Sequence, residues 1–205
     1  MKITAEKLGK RFNREWIFRN LDFTFEQGNI YAITGANGSG KSTLLQVLWG
    51  QLPQSTGSVT YKLSGKEIQV TDIFKHLSIA TPYMDLIDEF TLTEMVRFHF
   101  KFKRVRGNHS VEELIQRMEL TAARDKLISN FSSGMKQRLK LALAFYSDTQ
   151  LIFLDEPSTN LDKPSTRWYL DNLLNLPKEC LILIASNQEH EYPIDAVKLD
   201  IMGFK

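Results

Sequence analysis

Gly35-Ala36-Asn37-Gly38-Ser39-Gly40-Lys41-Ser42 fits the pattern G-x-x-x-x-G-K-[ST]. These residue types suit a polyphosphate. Glycines let a backbone fold back and aim its N–H groups at phosphate oxygens. A helix beginning at the end of the loop turns its positive dipole end toward the same anion. Lys41 is placed to reach β- and γ-phosphates, and the Ser42 hydroxyl to ligate Mg²⁺. Far along the chain, Leu151-Ile152-Phe153-Leu154-Asp155-Glu156 is an apolar run ending in two carboxylates. Asp155 suits a metal, and Glu156 suits a base or an orienter of water. Either feature alone has an ordinary reading, a glycine-rich turn or an acidic surface turn. Together they point to a nucleoside triphosphate with Mg²⁺.

Ligands of open α/β sheets sit beyond the carboxyl ends of the strands, so strands must deliver both features. Ile30-Tyr31-Ala32-Ile33 precedes the loop and Thr43-Leu44-Leu45-Gln46-Val47-Leu48-Trp49 follows it, a strand–loop–helix order. Leu151–Leu154 and Leu181–Ala185 are short continuous apolar runs, as strands buried on both faces require. Leu21–Glu26 and Val59–Leu63 alternate apolar with polar, as half-buried strands do. Helices are expected around 43–50, 111–119, 134–147 and 165–175. This alternation argues for a parallel sheet with helices on both faces. Residues 84–147 lack a buried strand and read as an inserted helical subdomain. Within them Val96, Phe98, Phe100 and Phe102 alternate with Arg97, His99, Lys101 and Lys103, the period of a strand.

Composition narrows the setting. The 205 residues carry 26 Lys+Arg against 24 Asp+Glu, too even a balance to argue for nucleic acid. One cysteine, Cys180, excludes an intrachain disulfide and suits a reducing compartment. Cys180 opens an apolar run and is expected in the core. No apolar run approaches the roughly 18–20 residues that span a bilayer. Met1-Lys2-Ile3-Thr4-Ala5-Glu6 lacks the apolar core of a signal peptide. The histidines show no zinc spacing. Lys101, Lys103, Arg104 and Arg106 form a basic run, read either as a solvated face or as a surface for anionic headgroups or a membrane partner.

The order of motifs resembles the nucleotide-binding subunit of ATP-binding cassette (ABC) transporters across nearly the whole chain. The phosphate loop, extended through Thr43, has the family's form. Phe131-Ser132-Ser133-Gly134-Met135-Lys136-Gln137-Arg138 resembles the signature motif, Leu151–Glu156 the Walker B strand, and Ser158-Thr159-Asn160-Leu161-Asp162 the D-loop. The resemblance implies a P-loop NTPase core of mainly parallel sheet flanked by helices, with an N-terminal antiparallel β part. One domain over 1–205 is expected, with its core at about 1–82 and 148–205 and a helical subdomain at about 83–147. It places a helix, not a strand, at 96–102.

The resemblance also implies a mechanism. ATP and Mg²⁺ bind at Gly35–Thr43 and Asp155, with Phe12 stacking on adenine; Trp16 is the lesser candidate. Ser132, Ser133, Gly134 and Met135 act on ATP held by a second ABC subunit, identical or different. Separate membrane-spanning subunits, an inner-face cytoplasmic location and no nucleic acid complete the expectation. Three places depart from the family pattern. Tyr83 stands where the Q-loop glutamine is expected, Ser133 and Met135 alter the signature, and Asn187 replaces the switch histidine. His190 lies three residues past Asn187, displaced from that strand end. Glu156 remains, so turnover is expected, at a reduced rate. Two rivals follow: an ATP-gated dimerising module with little turnover, and a non-transport ABC ATPase. Against the latter, these 205 residues show neither a second cassette nor a long coiled-coil insertion.

Overall fold

A computed structural model describes all 205 residues, Met1–Lys205. The chain divides into two compact units: residues 1–77, 150–156 and 177–205, and residues 78–149 and 157–176.

The first unit holds two sheets. Strands β1 (Lys2–Phe12), β2 (Glu15–Glu26), β4 (Thr56–Leu63) and β5 (Lys66–Ile68) form an antiparallel sheet in the order β2-β1-β4-β5. A two-residue turn joins β1 to β2, with Asn13 at φ 52, a left-handed conformation Asn tolerates. Register shifts between Ala5 and Leu8 and again before Arg11 break the period of two in β1. That is why β1 is not visible as an alternating strand. Strands β3 (Ile30–Thr34), β7 (Leu151–Asp155), β8 (Leu181–Ala185) and β9 (Val197–Asp200) are parallel, in the order β7-β8-β3-β9. Every residue of β7 and β8 is buried, which their unbroken apolar runs require. Helix α1 (Lys41–Leu48) packs on β7 and β8 through Leu44, Leu45 and Leu48. Trp49 meets Phe153 edge-on with ring centroids 5.4 Å apart. Cys180 is buried at the start of β8. Strand β6 (Leu77–Ala80) starts on the last residue of this unit.

The second unit carries helices α2 (Leu92–Phe102), α3 (Val111–Arg117), α4 (Ser133–Tyr146) and α5 (Lys163–Leu174). Capping boxes Thr91/Glu94 and Ser110/Glu113 start α2 and α3. Residues 96–102 are therefore helical, and the strand-like alternation is overruled. Leu92, Met95, Val96 and His99 recur at helical spacing and form the inward side, while Phe98 and Phe102 stay exposed. Helix α2 packs on α3, and α4 on α5. No helix is long and apolar enough to cross a membrane.

Candidate functional site

Strand β3 delivers its chain to the phosphate loop, and α1 leaves it. Gly35 and Gly40 adopt φ +140 and +99, conformations that L side chains rarely adopt. A β-carbon at Gly40 would lie 2.3 Å from Ile17 Cγ2, and one at Gly35 2.8 Å from Ser39 Oγ. Gly40 precedes α1 without a side-chain cap, so the first helical N–H groups are left for a ligand. Lys41 is only 5% exposed; its Nζ donates to the Gly35 and Ala36 carbonyls at 3.0 and 3.2 Å.

Parallel pairing of β7 with β8 places Asp155 opposite Ala185. Asp155 is 2% exposed, and its Oδ1 has no hydrogen-bond partner. Burial pushes its carboxyl up to about 6, against the hydrogen bond from Ser42 and the charge of Lys41; the nearby negative charges of Glu156 and Glu191 push the same way as burial. An orphaned buried carboxylate oxygen beside a hydroxyl fits a hard divalent cation, which prefers oxygen ligands. Glu156 follows with φ 44, strained for a side chain of its size, and its N–H donates to the Ala185 carbonyl at 2.9 Å.

Past β8, Asn187 Nδ2 donates to Asn37 Oδ1 at 2.9 Å, which ties the strand end to the phosphate loop. His190 lies exposed on the following 3-10 turn. Phe12 is 47% exposed near the β1–β2 turn, with the Lys10 ammonium 5.0 Å from its ring centroid. Trp16 is half-buried, with the Arg11 guanidinium 5.6 Å from its ring.

The other residues belong to the helical unit. Ser132 Oγ accepts from the Met135 N–H at 3.2 Å and caps α4, whose first turn holds Ser133, Gly134 and Met135. A β-carbon on Gly134 would meet the Asn160 carbonyl at 2.9 Å, so glycine permits this close approach. Asp162 Oδ1 accepts from the Ser165 N–H at 2.9 Å and caps α5. These residues and Arg138 line an open cavity of about 490 Å³. Tyr83 is 79% exposed. The basic run is partly structural: Arg106 donates to the Phe145, Ser147 and Thr149 carbonyls, and burial lowers Lys103.

The ABC transporter family model matches residues 18–159. The chain belongs to the ABC transporter family. A Bacillus subtilis (strain 168) relative, the uncharacterized ABC transporter ATP-binding protein YybJ, is 30% identical over 92% of this chain and 86% of its own length. The ribose import ATP-binding protein RbsA of Oceanobacillus iheyensis is 30% identical over 95% of this chain but 41% of its own. ABC transporter A family member 1 of Dictyostelium discoideum is 29% identical, and the match spans only 21% of it. A "putative ABC transporter (ATP-binding protein)" of Pyrococcus furiosus has the same fold, with a TM-score of 0.83 at 19% identity over 100% of this chain and 99% of that one. A bacterial Atm1-family ABC exporter with ATP bound gives 0.77 at 18% identity over 93% of this chain and 35% of that one. The P-loop NTPase fold of the ABC ATPases is thus established, and with it an ATP-binding subunit of the transporter kind.

Three buried polar residues near the candidate site were not singled out by sequence reasoning. Gln137 is buried in α4 and donates to the Pro157 carbonyl at 2.9 Å. Arg138 donates to Ser165 Oγ at 2.6 Å, pairs with Glu119 and lies over Trp168. Glu191 is 1% exposed, close enough for its charge to act on Asp155. Gln137 and Arg138 read locally as polar helix residues, and Glu191 as a polar turn residue.

Proposed function

We propose that this chain binds and hydrolyses Mg-ATP as the nucleotide-binding subunit of a transporter whose membrane-spanning subunits are separate chains. The observation that carries the reading is the buried Asp155 with its orphaned oxygen, close to Ser42 at the start of α1. Residues Gly35–Thr43 bind the phosphates, with Lys41 on the β/γ side, and Phe12 offers a face to adenine. Ser42 and Asp155 would hold Mg²⁺, which would supply positive charge to the phosphate oxygens. Glu156 orients and deprotonates the attacking water, and Asn187 donates a hydrogen bond to the γ-phosphate. Ser132, Ser133, Gly134 and Met135 stabilise the γ-phosphate of a second ABC subunit, with Asp162 at the interface, so two chains enclose each ATP. The partner is a second copy or a related chain. Tyr83 and Asn187 slow turnover: a phenol cannot present an amide oxygen, and an amide cannot carry charge or shuttle a proton. The protein works at the cytoplasmic face of the membrane, and no nucleic acid is involved.

A second reading, an ATP-gated dimerising module with little turnover, is favoured by one observation. The group that reaches the phosphate loop from β8 is the neutral Asn187 amide. Hydrolysis of Mg-ATP across protein concentrations, with Glu156→Gln as control, separates the two. A rate rising more than linearly and lost in the control supports the dimeric ATPase. No rate above the control at any concentration favours the gated module.

A further inference from the structure

The phosphate loop is held from behind by a segment at the far end of the chain. After β9, a 3-10 turn spans Ile201–Phe204, with the Met202 N–H donating to Asp200 Oδ1 at 2.9 Å. Ile201 is fully buried; its Cγ2 lies 2.9 Å from where a Gly35 β-carbon would be, and its Cδ1 3.7 Å from that of Gly40. Lys205 then reaches back. Its Nζ donates to the Ser39 carbonyl at 2.7 Å and to the Ile17 carbonyl at 3.0 Å. Its own carbonyl accepts from Arg19 Nε at 3.2 Å, which pins Lys205 to β2.

We infer that Lys205 is a positioning residue of the phosphate loop, one that sets the affinity for the polyphosphate of the nucleotide. The C=O and N–H of a trans peptide point in opposite directions. An ammonium clamped on the Ser39 carbonyl therefore fixes the direction of the Gly40 N–H on the other side of the same plane. Gly40 needs such a clamp. It has no side chain, its φ is left-handed, and glycine alone would leave the peptide free to flip. The ammonium also polarises that peptide, strengthening its N–H as a donor to an anion. Lys41 grips the front half of the same loop through Gly35 and Ala36. Lys205 grips the back half. Ile201 and Ile17 fill the space that side chains at Gly35 and Gly40 would need.

The inference rests on the nucleotide reading of the loop, and its test separates the two. Displacement of a fluorescent ATP analogue by Mg-ATP is measured for the full chain, Lys205→Met, Lys205→Arg and Lys41→Ala, together with thermal midpoints without nucleotide and kcat at saturating Mg-ATP. Lys205→Met is expected to weaken Mg-ATP binding about tenfold, or about 1.4 kcal/mol. Its midpoint should stay within about 2 °C of the parent, because an exposed side chain away from the core contributes little to stability. Its kcat at saturation should be retained, and Lys205→Arg, a cation that can bond both carbonyls, should restore affinity. Parental affinity in Lys205→Met beside lost binding in Lys41→Ala overturns the inference and leaves the nucleotide reading standing. Loss of affinity together with a large fall in midpoint, unrescued by arginine, also overturns it, since Lys205 would then only hold the fold. No displacement in the parent chain removes the nucleotide reading and the inference with it.

Discussion

Replacing Asp155 by Asn should make the nucleotide-free protein more stable, although it removes the proposed metal ligand. Asp155 is 2% exposed and one of its oxygens has no partner. Its carboxyl is pushed from 3.8 up to about 6, chiefly by burial. Between those values the folded chain binds more protons than the unfolded one, so stability falls as pH rises. The loss is complete above about 6 and amounts to about 3 kcal/mol, since each tenfold change in proton affinity is worth about 1.4 kcal/mol. Asn is isosteric and neutral and escapes that cost, which already includes the repulsion from Glu156 and Glu191. Thermal melts in a metal chelator should place Asp155→Asn about 6–12 °C above the parent at pH 8, using roughly 2–4 °C per kcal/mol for a chain of this size. The gap should close as pH falls toward 4, where the parent's Asp155 is protonated in the folded state. Excess Mg-ATP should narrow the gap at pH 8, because a ligand of the folded state stabilises the parent by mass action. A variant no more stable than the parent at pH 8, or a gap that does not change with pH, would refute the burial argument.

His99 should oppose this trend. Burial first, then the charge of Lys103, lowers its imidazole from 6.5 to about 4, against a hydrogen bond to the Leu143 backbone. Its contribution is present above pH 6.5 and lost as pH falls toward about 4, about 3 kcal/mol in all, so His99→Gln should flatten the acid side of a denaturant-midpoint profile. Asn187→His replaces a neutral donor at the phosphate loop by one that can carry charge. It should raise kcat about tenfold, since charged hydrogen bonds exceed neutral ones by roughly 1–1.5 kcal/mol; an unchanged kcat would argue that this position does not limit turnover. Gly134→Ala puts a β-carbon 2.9 Å from the Asn160 carbonyl. Overpacking there should cost about 1–3 kcal/mol by denaturant titration and weaken ATP-dependent association in sedimentation.

Legible in the sequence was whatever local chemistry dictates. The phosphate loop needs glycines, a lysine and a hydroxyl at fixed offsets. Strands β3, β7 and β8 need unbroken apolar runs because both their faces are buried, and the start of α4 needs the Ser132 cap. Local pattern failed where two local signals competed or where bulges broke the period. The alternation of 96–102 resembles a strand, but the Thr91/Glu94 capping box and the inward stripe of Leu92, Met95, Val96 and His99 decide for a helix. Strand β1 hides its period behind its register shifts. Tertiary structure alone decided which distant residues meet. Strand pairing brings Asp155 level with Ala185, and Asn187 to Asn37 across 150 residues of sequence. Lys205 reaches Ser39 from 166 residues away. No local propensity encodes these approaches. They arise because parallel strands must align their carboxyl ends on one edge, and the chain that leaves those ends closes over the loop.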